Sequence, residues 1–189
     1  MSTTPSTAAA RATLDDLMRA PGKAELIGGR IVEQMATGRL PSRIAASIFK
    51  SLDAYAEATG RGEAYTDNLG YAVPELSSGR ESFSPDASYY LGPLPEEEAG
   101  FMEGPPTFAV EVRRKGDFGN AAEEAMAAKR ADYFEAGTAV VWDVDFKVKV
   151  VRSYRADDPD QPALFGPGQV ADAEPAVPGW SLAVDRIFA

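Results

Sequence analysis

Three charged side chains far apart in the sequence could do chemistry together: Asp86 in "SPDASYY", Glu111 in "FAVEVRRKG" and Lys129 in "AAKRADYF". Two carboxylates that converge repel each other, and the arrangement costs free energy unless a cation lies between them. Oxygen-only donors suit Mg2+, which takes one or two carboxylates and keeps several waters. A metal so held polarises a phosphoryl oxygen and lowers the pKa of a bound water, while a neighbouring ammonium orients that water or stabilises developing charge. The trio therefore suits metal-assisted hydrolysis of a phosphodiester. Composition leaves little else available. The 189 residues include neither cysteine nor histidine. That excludes disulfides, thiolate nucleophiles, Cys/His zinc sites and any imidazole base.

Each of the three also has a plainer reading. In "TFAVEVR", strand alternation puts Phe108, Val110 and Val112 on one face and Thr107, Ala109, Glu111 and Arg113 on the other. An isolated Glu-x-Arg of this kind makes a strand-end salt bridge or two solvated charges. Pro85-Asp86 is by itself a common turn signal, although a proline also favours a strand's start or a sheet's edge. The lysine changes the balance. At 100° per residue, Ala122, Ala125, Met126, Tyr133 and Ala136 form an apolar stripe with Lys129 in its middle, while Glu123, Glu124, Arg130, Asp132 and Glu135 lie off it. A lysine there either snorkels outward or aims its ammonium into the domain. An inward ammonium needs a carboxylate, and Glu111, one short turn earlier, is the natural partner.

The elements that must position these residues follow from pattern. "LDDLMRAP" predicts a short helix closed by Pro21, and "AELIGGRIVEQM" a hairpin turning at Gly28-Gly29. "PSRIAASIFKSLDAYAEATG" is helical, with Ile44, Ile48, Leu52 and Tyr55 at helical spacing and Gly60 at the exit. "GEAYTDNLGYAVPE" and "FSPDASYYLG" are two strands, and "PLPEEEAGFMEGPP" is an acidic loop. Strand "TFAVEVR", turn "RKGDFG" and helix "NAAEEAMAAKRADYFEAG" lead to strands "TAVVWDV" and "KVKVVRSY". The Pro/Gly-rich remainder predicts short strands and a last helical turn around residues 184–188. The fold class expected is α/β (α+β), a central mixed sheet flanked by helices.

With 44% hydrophobic and 25% charged residues, the chain suits one soluble domain, expected over residues 13–189 after a flexible tail at 1–12. No stretch approaches the roughly 20 apolar residues of a membrane span, and the opening residues lack a basic leader, so a cytoplasmic protein is expected. The net charge of −10 argues against a non-specific DNA coat. Arg30, Arg39, Arg61 and Arg80 each follow a glycine and are expected to be solvated turn residues, with phosphate contact as the lesser reading. "DFG" at 117–119 reads as a turn, Asp143 and Asp145 as hairpin caps within reach of a metal, and Glu96, Glu97 and Glu98 as a solvated loop.

Taken in order, "ELIGGRIVEQM", "SPDASYY", "FAVEVR", "AAKRADYFEAGTAVVWDVD" and a closing Pro-Gly-Trp segment resemble the PD-(D/E)XK nuclease superfamily, and more closely the Uma-type restriction endonucleases of bacteria, over nearly the whole chain. The resemblance implies a restriction-endonuclease-like fold and Mg2+-dependent cleavage of DNA, with Mn2+ as a substitute ion. It makes Asp86 and Glu111 metal ligands, adds the main-chain carbonyl of Val112, and brings Glu25 towards the metal or into a structural role in the hairpin. Arg113 stands where the superfamily's strand lysine would be, to assist at a phosphate oxygen, and Lys129 takes over that lysine's role from the helix. Cutting two strands with one site per chain suggests a homodimer. Where this chain has Pro41 and Arg114, many relatives have histidine and serine. The alternative is a catalytically inactive descendant that binds nucleic acid or protein.

Overall fold

Thr13 accepts the Asp16 amide while the Asp16 carboxylate reaches back to the Thr13 amide, a capping box that starts helix α1 (Leu14–Met18). The computed structural model describes residues 10–189, so the first nine positions of the expected tail lie outside the described residues. Ala12 is tied down, its amide donating to the Gly29 carbonyl at 2.9 Å. Strands β1 (Ala24–Ile27) and β2 (Arg30–Glu33) form the expected hairpin. Gly28 and Gly29 turn it with φ of 58° and 68°, a region that side chains avoid. Helix α2 (Arg39–Thr59) runs from Gly38 to a left-handed Gly60.

Both expected strands that follow are broken in two. "GEAYTDNLGYAVPE" becomes β3 (Glu63–Thr66) and β4 (Tyr71–Ala72), because Asn68 takes φ of 80° between them. "FSPDASYYLG" becomes β5 (Ser82–Phe83) and β6 (Ala87–Tyr90), interrupted where Pro85 has no amide to give a ladder. Strand β7 (Met102–Glu103) lies inside the acidic loop and pairs in parallel with β4. Then come β8 (Phe108–Val112), α3 (Asn120–Ala136), β9 (Val140–Asp145) and β10 (Val150–Arg155). The last elements are β11 (Asp158–Phe165), β12 (Val170–Asp172), β13 (Ser181–Ala183) and α4 (Val184–Ile187).

Six strands form one mixed sheet in the order β11-β10-β9-β8-β6-β3, with α3 as the crossover between the parallel neighbours β8 and β9. Alternation divides its faces. Phe108, Val110, Val112, Trp142 and Val144 pack with Ile44, Ile48 and Leu52 of α2. The opposite face carries Ala109 and Val141 against Tyr133 of α3 and the small sheet β5-β4-β7. Phe83 of that small sheet stacks on Tyr133 with ring centroids 4.1 Å apart. Glu111 therefore emerges on the α3 side, as alternation requires. Among the described residues no helix is long and apolar enough to cross a membrane.

Candidate active site

Where β6 gives out, a side chain continues its ladder. The Asp86 amide donates to the Val110 carbonyl at 2.9 Å, and the next free amide of β8, that of Val112, donates to Asp86 Oδ2 at 2.8 Å. The segment alongside has nothing to offer the Val112 carbonyl, because Pro85 lacks an N–H and the Ser84 amide is committed to Glu25 Oε1 at 3.0 Å. Asp86 is thus fixed at the strand end by backbone geometry. Its other oxygen, Oδ1, faces the Lys23 ammonium at 2.8 Å, and Lys23 also reaches Asp67 Oδ1 at 2.5 Å.

Lys129 aims inward. Its ammonium lies 2.8 Å from Glu111 Oε1 and 3.0 Å from Glu25 Oε1. Tyr133, one helical turn on, donates to the same Glu111 oxygen at 2.7 Å. Behind them Arg80 Nη1 meets Glu25 Oε2 at 2.5 Å and Arg80 Nε meets Asp132 Oδ2 at 2.7 Å. The result is a continuous series of alternating charge, Asp132–Arg80–Glu25–Lys129–Glu111, buried at Asp132, Arg80 and Glu25 and partly exposed at Lys129 and Glu111. Such a series holds the ammonium in one place, since each ion is costly to bury without its neighbour.

The two glutamates respond in opposite directions. Burial disfavours the Glu25 carboxylate, but Lys129 and Arg80 together outweigh it and bring its pKa down to about 2. Burial raises that of Glu111, Lys129 offsets it only in part, and the negative charges of Asp86 and Glu25 add to the rise. Burial opposes the charge on Lys129 as well, yet Glu111 and Glu25 hold it protonated and its pKa is raised. Tyr133 is likewise raised, by burial and then by Glu111.

These groups open onto a cavity of about 240 Å³ between the sheet and the first half of α3. The cavity explains why the predicted stripe is only partly covered. Tyr133 is buried against the sheet, whereas Ala122, Ala125, Met126 and Lys129 border empty space. Asp132, expected off the stripe, is buried because Arg80 comes up beneath it.

Asp86, Glu111, Val112, Arg113 and Lys129 all border this cavity, while Glu25 stands behind Lys129. Arg113 needs correction as a phosphate ligand. Its guanidinium is bound in two places to Asp143, both at 2.7 Å, and again by Glu123, with the residue 3% exposed. It clamps β8 to β9 and α3 and has no free edge for a phosphate oxygen. Asp143 accordingly serves as its counter-ion rather than as a hairpin cap, whereas Asp145 does cap the turn, accepting the Lys147 amide at 2.9 Å. Asp117 accepts the Arg114 amide at 2.7 Å, so "DFG" is the turn expected. Sequence reasoning missed Lys23, Asp67 and the inward course of Arg80, which is 7% exposed rather than solvated. Lys23 carried a signal: it stands two residues before Glu25, on the same side of an extended chain.

Among the described residues no three acidic, histidine or cysteine side chains converge as a metal-holding group. The donors nevertheless fit a hard divalent cation. Among the described residues Glu111 Oε2 takes no hydrogen bond, Asp86 Oδ1 is held only by cations, and the Val112 carbonyl faces Pro85 and a Ser84 amide committed to Glu25. All are oxygen donors, the donor type a hard cation takes, and Asp86 and Glu111 both border the cavity.

The fold is similar to one known from a crystal structure described as "a putative nuclease belonging to DUF820 from Anabaena variabilis". The likeness covers 93% of this chain and 97% of that one at 20% identity, with a TM-score of 0.71. No curated protein matches the sequence. The sequence model of the Uma2 family, described as "Putative restriction endonuclease", matches residues 12–185, and the chain belongs to that family.

Proposed function

We propose that the protein is a metal-dependent endodeoxyribonuclease of restriction type, hydrolysing DNA phosphodiester bonds with Mg2+, for which Mn2+ can substitute. The observation that carries this reading is the Lys129 ammonium, held between Glu111 and Glu25 at the edge of a cavity that also holds Asp86. Asp86, Glu111 and the Val112 carbonyl would hold the cation. Its chemistry, when bound, is to polarise a phosphoryl oxygen and make a water more acidic. Lys129 supplies the fixed positive charge that orients the attacking water or stabilises the phosphorane. Tyr133 and Glu25 keep Glu111 and Lys129 in register, and Arg113 ties β8 to β9 and α3 beneath the reaction. Hydrolysis adds water across one P–O bond. One site per chain cuts one strand, so a homodimer is the economical assembly for cutting two.

Purified protein with Mg2+ or Mn2+ is expected to nick plasmid DNA, and Asp86→Ala or Lys129→Ala to abolish nicking. Equal nicking by either variant refutes the assignment. A second reading, a nuclease fold that binds nucleic acid or protein without cleaving it, is favoured by Lys23, whose ammonium already neutralises Asp86. Calorimetry that detects no divalent-ion binding to the folded protein would select it.

A further inference from the structure

Four cationic side chains border the cavity, and three of them are spoken for. Arg113 pairs with Asp143 and Glu123. Arg114 donates to the Met35 carbonyl and Gln34 Oε1, both at 3.0 Å, and lies 3.5 Å from Asp86. Lys129 lies between two glutamates. Arg130 differs: among the described residues it forms neither an ion pair nor a hydrogen bond, and its Nη1 is buried with no acceptor. Its guanidinium lies over the Tyr154 ring, 3.9 Å from the centroid. Tyr154 on β10 is paired with Val141, itself part of the cavity wall. Stacking on an aromatic face fixes the plane of an arginine and leaves its N–H edge for a planar or tetrahedral anion.

A buried charged donor without an acceptor is destabilising, and natural proteins rarely keep one. Because Arg130 borders the cavity, an acceptor for its guanidinium can come from outside the protein. Within the nuclease reading, which this inference deepens, we infer that Arg130 binds a second backbone phosphate of the DNA strand, apart from the phosphate under attack. The site then has two poles: acids with Lys129 at one, where the bond is broken, and Arg130 on Tyr154 at the other, where the strand is held. This also resolves how a chain of net charge −10 can hold a polyanion. Attraction comes from an arginine that borders the cavity and forms no ion pair among the described residues, rather than from a basic surface.

The experiment is a fluorescence-anisotropy titration of a labelled duplex oligodeoxynucleotide, with Ca2+ replacing Mg2+, for wild type, Arg130→Met and Arg130→Lys over a range of salt. Arg130→Met is expected to bind about tenfold or more weakly, as for loss of a hydrogen bond to a charged group, and to lower the slope of log affinity against log salt by about one. Arg130→Lys is expected to restore the slope and part of the affinity. The melting temperature of Arg130→Met should equal or exceed that of wild type, because an unpaired donor has been removed. Equal affinity and slope in Arg130→Met overturn the inference. So does weak binding accompanied by a lower melting temperature that Arg130→Lys does not repair, since Arg130 would then be structural. Wild type that binds the duplex through Arg130 yet never cleaves it sinks the nuclease reading alone, whereas active wild type with indifferent Arg130→Met sinks this inference alone.

Discussion

Replacing Lys23 with methionine isolates the competition for Asp86. The Lys23 ammonium lies 2.8 Å from Asp86 Oδ1 and 2.5 Å from Asp67 Oδ1, and both Lys23 and Asp86 side chains are 8% exposed. Removing one partner of a buried pair costs about 3–5 kcal/mol. The lower end applies here, because Asp67 is partly in solvent and the Val112 amide still supports Asp86. A loss of about 3 kcal/mol corresponds to roughly 6–12 °C in a domain of this size. A divalent cation arriving at the variant no longer has to displace an ammonium, so its affinity should rise by up to about 100-fold. Scanning calorimetry with and without Mn2+, together with titration calorimetry, measures both effects. The variant should melt lower than wild type without metal and recover most of the difference with it, while wild type shifts less. If Mn2+ binds both proteins with the same affinity and does not rescue the variant, Asp86 is not a ligand and the competition does not exist.

Glu25 ionises with a pKa brought down from 4.5 to about 2, so its stabilising contribution is present above about pH 4.5 and lost as pH falls towards 2. It amounts to about 3 kcal/mol, and urea midpoints of wild type and Glu25→Gln should converge on acidification through that window. Glu111 is shifted the other way: its contribution is present below 4.5 and is lost as pH rises through its raised value. Glu111→Gln imitates the protonated form, so its stability relative to wild type should improve from acid to neutral pH and lie within about 1 kcal/mol of wild type there, with metal binding lost. A loss of several kcal/mol with unchanged metal binding would mark Glu111 as a structural ion-pair partner only. Asp132→Ala leaves Arg80 with Glu25 alone and should lower unfolding free energy by about 2–3 kcal/mol in urea without altering Mn2+ affinity.

The direction of Lys129 was legible because helical periodicity puts one lysine inside an apolar stripe, and a buried ammonium implies its acid. Glu111 followed from strand alternation, and the two neighbouring faces of β8 confirm that parity. The Gly28-Gly29 hairpin and the Gly60 exit were equally plain, because only glycine takes those backbone angles cheaply. Lys23 and Arg80 escaped because turn-flanking cations look alike whether they end in water or in a carboxylate. Their partners, Asp86 and Asp132, lie 63 and 52 residues away along the chain. Arg113 misled for a related reason. Its position on the strand was right, but Asp143 on β9, which pairs with Glu111 and so lies diagonal to Arg113, takes its guanidinium, and strand pairing cannot be read from one strand's pattern.

Crystals grown with Mn2+ and measured at its absorption edge test the centre of this account most directly. An anomalous peak should appear between Asp86 and Glu111, near the Val112 carbonyl, with the Lys23 ammonium withdrawn from Asp86. A map with no manganese there, and Lys23 still seated on Asp86, would contradict it.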